Sequence, residues 1–151
     1  MIRRTARTLS VALLATLFSC AVCAAPFRSV GARLIIPFGG LPVVLGLEAT
    51  AKLGSLIGSL SFFLSLRGDA LLLTSLDLPL DPSDPGTCIR VTGGLYDFDP
   101  TPALPSLTGG VGVAYYGSPL GWFGYSFAGE FLYPLAFPVP MFSVGGGWVS
   151  P

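Results

Sequence analysis

Histidine is missing altogether from the 151 residues. That removes the imidazole of a Ser-His-Asp triad, His ligation of a metal, and His-dependent lipid deacylation or acyl transfer. Charge is scarce too: 11% of residues are Asp, Glu, Lys or Arg, where a soluble domain carries about 25%. Hydrophobic residues make up 52% and the mean hydropathy is +0.74, so water is a poor solvent for the surface of this chain. Cysteine is limited to Cys20, Cys23 and Cys88. No repeat of 20 to 50 residues divides the chain, and no Gly-rich phosphate loop lies between a strand and a helix. Catalysis and cofactor binding are therefore not expected.

What is present begins with an export signal. Arg3, Arg4 and Arg7 precede the apolar stretch Leu9–Phe18, and small residues follow from Cys20 to Ala25. This order predicts a secretory signal peptide over residues 1–24, cut after Ala24. The apolar stretch is nearer ten residues than the roughly 20 of a spanning helix. Leu17-Phe18-Ser19-Cys20 also resembles the lipobox of acylated lipoproteins, with a bulky Phe18 where a small residue is usual, which makes lipidation at Cys20 a lesser alternative. Beyond residue 24, five basic side chains (Arg28, Arg33, Lys52, Arg67, Arg90) face eight acidic ones, a net charge of −3 that offers nothing to nucleic acid. Cys88 is then the one remaining cysteine, excluding an intramolecular disulfide; a buried, inert thiol is expected there.

The informative pattern is alternation. From Leu41 to Leu53 every odd position is apolar, while the even positions include Glu48, Thr50 and Lys52. From Leu56 to Leu66 the apolar set moves to even positions, and Ser59, Ser61 and Ser65 take the odd face. A two-residue hairpin turn pairs residue i with i+3 on one face, so a turn at Gly54-Ser55 requires this flip, with Gly first as in type II′. The same parity change spans Gly39-Gly40. Parity is preserved across Arg67-Gly68-Asp69, as a three-residue loop demands; this integrin-type tripeptide needs no ligand to explain it. Further strands are predicted over about 87–98, 108–116, 121–135 and 139–149, separated by breakers such as Asp81-Pro82-Ser83-Asp84-Pro85-Gly86. The total is eight.

A helical alternative for residues 41–66 has Gly54 and Gly58 at GxxxG spacing and Glu48 and Lys52 at i, i+4. It would centre two charges in hydrocarbon at roughly 2.5–3.5 kcal/mol each, and it gives no reason for strict alternation.

Alternation alone leaves open which face meets which solvent. Once turn residues are set aside, the polar face carries Arg33, Lys52 and Arg90 against Glu48, Asp77 and Glu130. Six charges are too few to solvate the outside of a secreted, lipocalin-like barrel, whose surface should be about a quarter to a third charged. They suit an interior, where a lumen just wide enough for side chains holds them as paired ions. Later-strand aromatics, Tyr115, Tyr116, Trp122, Phe123, Tyr125, Tyr133, Phe142 and Trp148, read equally as an interfacial girdle or as packing for neighbouring glycines.

A signal peptide, eight alternating strands, an apolar exterior and a polar, plugged interior make residues 27–149 resemble the small outer-membrane barrels of the OmpA-transmembrane and OmpX type. The resemblance is one of architecture. Those barrels usually have longer external loops and end in an aromatic residue, whereas this chain ends Trp148-Val149-Ser150-Pro151. The resemblance implies an all-β, eight-stranded, antiparallel up-and-down transmembrane barrel over residues 25–151. Its expected partners are the lipid bilayer and other envelope proteins, and its expected role is structural, anchoring or interactive. A small pore or lipid-handling barrel, and a soluble secreted binder, are the alternatives.

Overall fold

Period-two alternation becomes strand wherever a partner is available, and here it makes eight segments: β1 (Ser29–Pro37), β2 (Val44–Leu53), β3 (Leu56–Ser65), β4 (Ala70–Asp81), β5 (Asp84–Asp97), β6 (Ser106–Gly117), β7 (Phe123–Leu132) and β8 (Val139–Val149). The computed structural model describes residues 29–38, 41–66, 68–81, 84–97, 106–132 and 139–149. Each strand pairs antiparallel with its sequence neighbours, and β1 closes on β8, so the sheet is a closed up-and-down barrel with no free edge. Closure gives every strand a hydrogen-bonded neighbour on both sides, the condition for a β structure in hydrocarbon. The predicted signal peptide over 1–24, Cys20 included, and Tyr133 lie outside the described residues.

Ser29, Val149 and the β2–β3, β4–β5 and β6–β7 turns share one rim, the terminal end. The other four connections share the opposite rim, the loop end. At the terminal end Leu53 pairs with Leu56 around Gly54-Ser55. Gly54 has φ +66°, and no non-glycine described residue has positive φ. Positive φ at the first central position alone makes this a type II′ turn, whose twist matches that of the flanking strands. The Gly39-Gly40 pair lies outside the described residues, but β1 and β2 hold the register, Ile35 opposite Val44, that a two-residue turn there requires.

The β3–β4 loop corrects the sequence expectation by one position. Ser65 N–H donates to the Asp69 carbonyl at 2.9 Å and Gly68 N–H to the Ser65 carbonyl at 3.0 Å. The loop therefore lies between Ser65 and Asp69, one position earlier than expected, and ends in Gly68 at φ +84°, the left-handed residue that closes a three-residue hairpin loop. Asp69 is the first residue of the returning chain, buried and bonded by the Ser65 hydroxyl at 2.8 Å. It is not offered to solvent as an integrin-type loop would need.

Parity settles the faces. Outward positions carry Leu45, Leu47, Leu64, Leu76, Leu78, Val91, Val111, Val113 and Phe131, all exposed. Among the described side chains no outward strand position is charged, and Thr74 and Thr87 are the polar exceptions apart from tyrosines. Burying one such side chain in an apolar medium contributes about 1.5–3 kcal/mol, and a strand of about ten residues tilted near 45° spans a hydrocarbon layer. The β1–β8 seam is built on glycine. A Cβ on Gly147 would lie 2.3 Å from Gly31 Cα, and one on Gly31 would lie 2.4 Å from the Gly146 carbonyl oxygen.

Candidate functional site: the lumen

Inward positions meet at mid-height in a network of five charged groups. Asp77 on β4 and Arg90 on β5 stand directly opposite one another. Arg90 grips both carboxylate oxygens of Asp77, through Nε at 2.7 Å and Nη2 at 2.8 Å. The same Nη2 donates to the Tyr116 hydroxyl at 2.6 Å, and that hydroxyl donates to Asp77 Oδ2. Arg33 on β1 donates from Nη1 to Glu48 Oε2 at 2.5 Å, and from Nη2 to Glu130 Oε1 and Ser143 Oγ, both at 2.7 Å. Glu130 joins the two halves: its Oε1 also accepts from Arg90 Nη1 at 3.3 Å and its Oε2 from Thr92 Oγ1 at 2.7 Å. Ser61 Oγ completes the set on Glu48 Oε2 at 3.0 Å.

Arg33, Asp77 and Arg90 are at most 1% exposed. Bidentate and charge-assisted geometry is what such burial demands, because an unpaired ion here would carry a desolvation penalty of several kcal/mol. The arrangement is therefore a brace tying β1, β2, β4, β5 and β7 together across the lumen.

Lys52 is the residue the structure leaves out. Its parity is inward, like Glu48 and Thr50, but it stands one residue before the Gly54-Ser55 turn and is exposed at the rim. An ammonium one step from water is hydrated there rather than desolvated at mid-barrel. The expected three-against-three balance becomes two cations, Arg33 and Arg90, against three carboxylates. Tyr116 is the member that sequence reasoning missed. Its even position on β6, opposite in parity to the outward Val111 and Val113, carried the signal.

A second correction concerns the rest of the interior. Toward the loop end the lumen is mainly apolar: Ile35, Val44, Phe63, Leu71, Leu73 and Tyr96 pack with Leu132, Val139 and Met141 as one buried cluster, with Leu41 against it, and Ser65, Asp69 and Thr108 are the buried polar residues of that end. Arg33 lies over the Phe63 ring, 6.0 Å from its centroid, where the plug meets the brace. Toward the terminal end the lumen opens into a cavity of about 220 Å³. Its walls combine glycines with the polar side chains of Ser29, Glu48, Thr50, Tyr116 and Ser126 and the apolar ones of Ile57 and Val149. Thr108 Oγ1 is the one buried side-chain polar atom without a partner among the described residues. Cys88 is wholly buried.

Trp122 and Trp148 are exposed toward the terminal rim, and Tyr115, Tyr125, Phe127 and Phe142 form a run of ring contacts with centroids 5.5–6.4 Å apart. Tyr125 also covers Gly117, where an added Cβ would fall 2.3 Å from the ring.

No protein-family model and no curated protein matches the sequence. Two solved structures share the fold. A de novo designed transmembrane β-barrel superposes with a TM-score of 0.53 at 14% identity, over 82% of this chain and 96% of that one. The N-terminal β-barrel domain of Pseudomonas aeruginosa OprF gives 0.51 at 18% identity, over 82% and 97%. The fold is thus the eight-stranded antiparallel barrel of transmembrane type, as the architectural resemblance implied.

Proposed function

We propose that the chain is a sealed outer-membrane barrel, exported by its signal peptide, with a structural and anchoring role in the cell envelope. The observation that carries this reading is the filled lumen. A lumen just wide enough for side chains is spanned at mid-height by the Arg33–Glu130–Arg90 brace and stoppered at one end by the Phe63–Leu73–Met141 plug. The uncharged, apolar exterior supports lipid as the main partner, with envelope proteins meeting the rims. Enzymatic chemistry has no place in it: the buried carboxylates are tied to arginines. Purified full-length protein in planar bilayers is expected to show no steady conductance, and a stable open channel would overturn the reading. Recovery from the aqueous fraction without detergent would instead favour a soluble binder.

A further inference from the structure

The three carboxylates of the brace are not equally satisfied. Asp77 has both oxygens held by Arg90 and a third donor in Tyr116. Glu130 has both oxygens occupied, by Arg33, Arg90 and Thr92. Glu48 takes both of its hydrogen bonds, from Arg33 and Ser61, on Oε2. Its Oε1 accepts none among the described residues, although the side chain is only 9% exposed. The excess negative charge of a network with two cations and three anions is therefore least compensated at Glu48.

Glu48 is also the one charged residue lining the terminal-end cavity. The pocket is blind, because the brace and the plug lie behind it. It admits a solute about the size of seven waters, at ~30 Å³ for each. Around the carboxylate stand hydroxyls, Ser29 and Thr50 (2.5 Å from each other) and Ser126, with Ile57 supplying an apolar wall.

We propose that this cavity is a binding site for a small organic cation, a primary ammonium with a short aliphatic tail, whose head donates to Glu48 Oε1 and the neighbouring hydroxyls while its tail lies along Ile57. An anion would face a carboxylate with no cation among the described lining residues, and a neutral hydroxyl could donate to Oε1 without offsetting its charge. The site is independent of the sealed-barrel reading: it needs an opening at one rim and no passage through the barrel.

The test uses the full-length chain folded in detergent micelles, titrated with n-butylammonium chloride and followed by amide chemical shifts. Saturable shifts are expected at Thr50, Ser126 and Gly145, with n-butanol and butyrate weaker by about tenfold or more, as replacing a cationic donor by a neutral one or by a like charge implies. Glu48→Gln should weaken butylammonium by about the same factor, and Ser126→Leu, which fills the cavity and leaves Glu48 in place, should abolish it. Equal binding of butanol, an unchanged affinity in Glu48→Gln, or shifts confined to the loop end would overturn the proposal. So would binding seen only in Lys52→Met, since the rim lysine would then be the cavity's own occupant. If Glu48→Gln does not fold, Ser126→Leu decides: a folded variant that binds undiminished sinks the site. Conductance is a separate readout, so failure here leaves the sealed-barrel reading standing.

Discussion

Toward the loop end, Phe63, Leu71, Leu73 and Leu132 pack across the lumen; toward the terminal end the same eight strands turn to Gly31, Gly145, Gly147 and Ser126 and leave about 220 Å³ empty. Strand number and tilt fix the width of a barrel, so the difference between the halves is one of side-chain volume at inward positions alone. The charged brace stands at the boundary and belongs to both. One half is mainly apolar, with Ser65, Asp69 and Thr108 as its buried polar residues, while the other retains room and, at Glu48, a carboxylate oxygen with no donor among the described residues.

Substitutions can break that contrast, and the largest effect is expected at the boundary itself. Arg90→Ala removes the partner of Asp77 and one donor of Glu130, leaving uncompensated buried charge; a loss of about 3–5 kcal/mol is expected, read by urea unfolding in lipid vesicles through tryptophan fluorescence. In the packed half, Leu73→Ala should cost about 2–5 kcal/mol, the range for a buried leucine whose site does not fully collapse, by the same measurement. The turn at the open rim is less critical: Gly54→Ala places a Cβ at φ +66° and should cost about 1–2 kcal/mol. Smallest of all is Lys52→Ala, within about 0.5 kcal/mol, as for an exposed side chain without a partner in the brace. A Lys52→Ala cost comparable to that of Arg90→Ala would put the lysine back in the network.

The two halves also differ in how legible they were. Parity on β2 and β3 gave the hairpin, its register and the inward placement of Glu48, because a period of two survives any uncertainty about depth. Depth is what parity lacks, and Lys52 was misplaced for that reason: it has the right face at the wrong height. The plug was hidden in Leu71-Leu72-Leu73, a continuous apolar run in which both faces look alike until a partner strand assigns them. The direct opposition of Asp77 and Arg90 follows from counting outward from the Asp81–Gly86 segment, which puts Leu80 opposite Thr87 and Asp77 opposite Arg90; the register shift between Pro79 and Asp81 lies nearer the turn and leaves that pairing intact. Sequence therefore carried the barrel and most of the charged set, while the volume distribution along the lumen required the register of every strand.

The glycine seam between β1 and β8 bears on how the barrel comes together in time. Arg33 and Ser143 meet across it although they are 110 residues apart in sequence, while the β2–β3 hairpin turns on two residues. Loop-closure entropy grows with the logarithm of the enclosed length, at about 0.6 kcal/mol for each doubling, and pairings distant in sequence slow folding. The hairpins are local events, and the seam is the one ladder whose formation encloses nearly all of the described chain. Gly31 opposite Gly147 lets the two backbones approach where a side chain would clash, so steric obstruction is removed at the terminal end of the joint that arrives with the greatest entropic handicap.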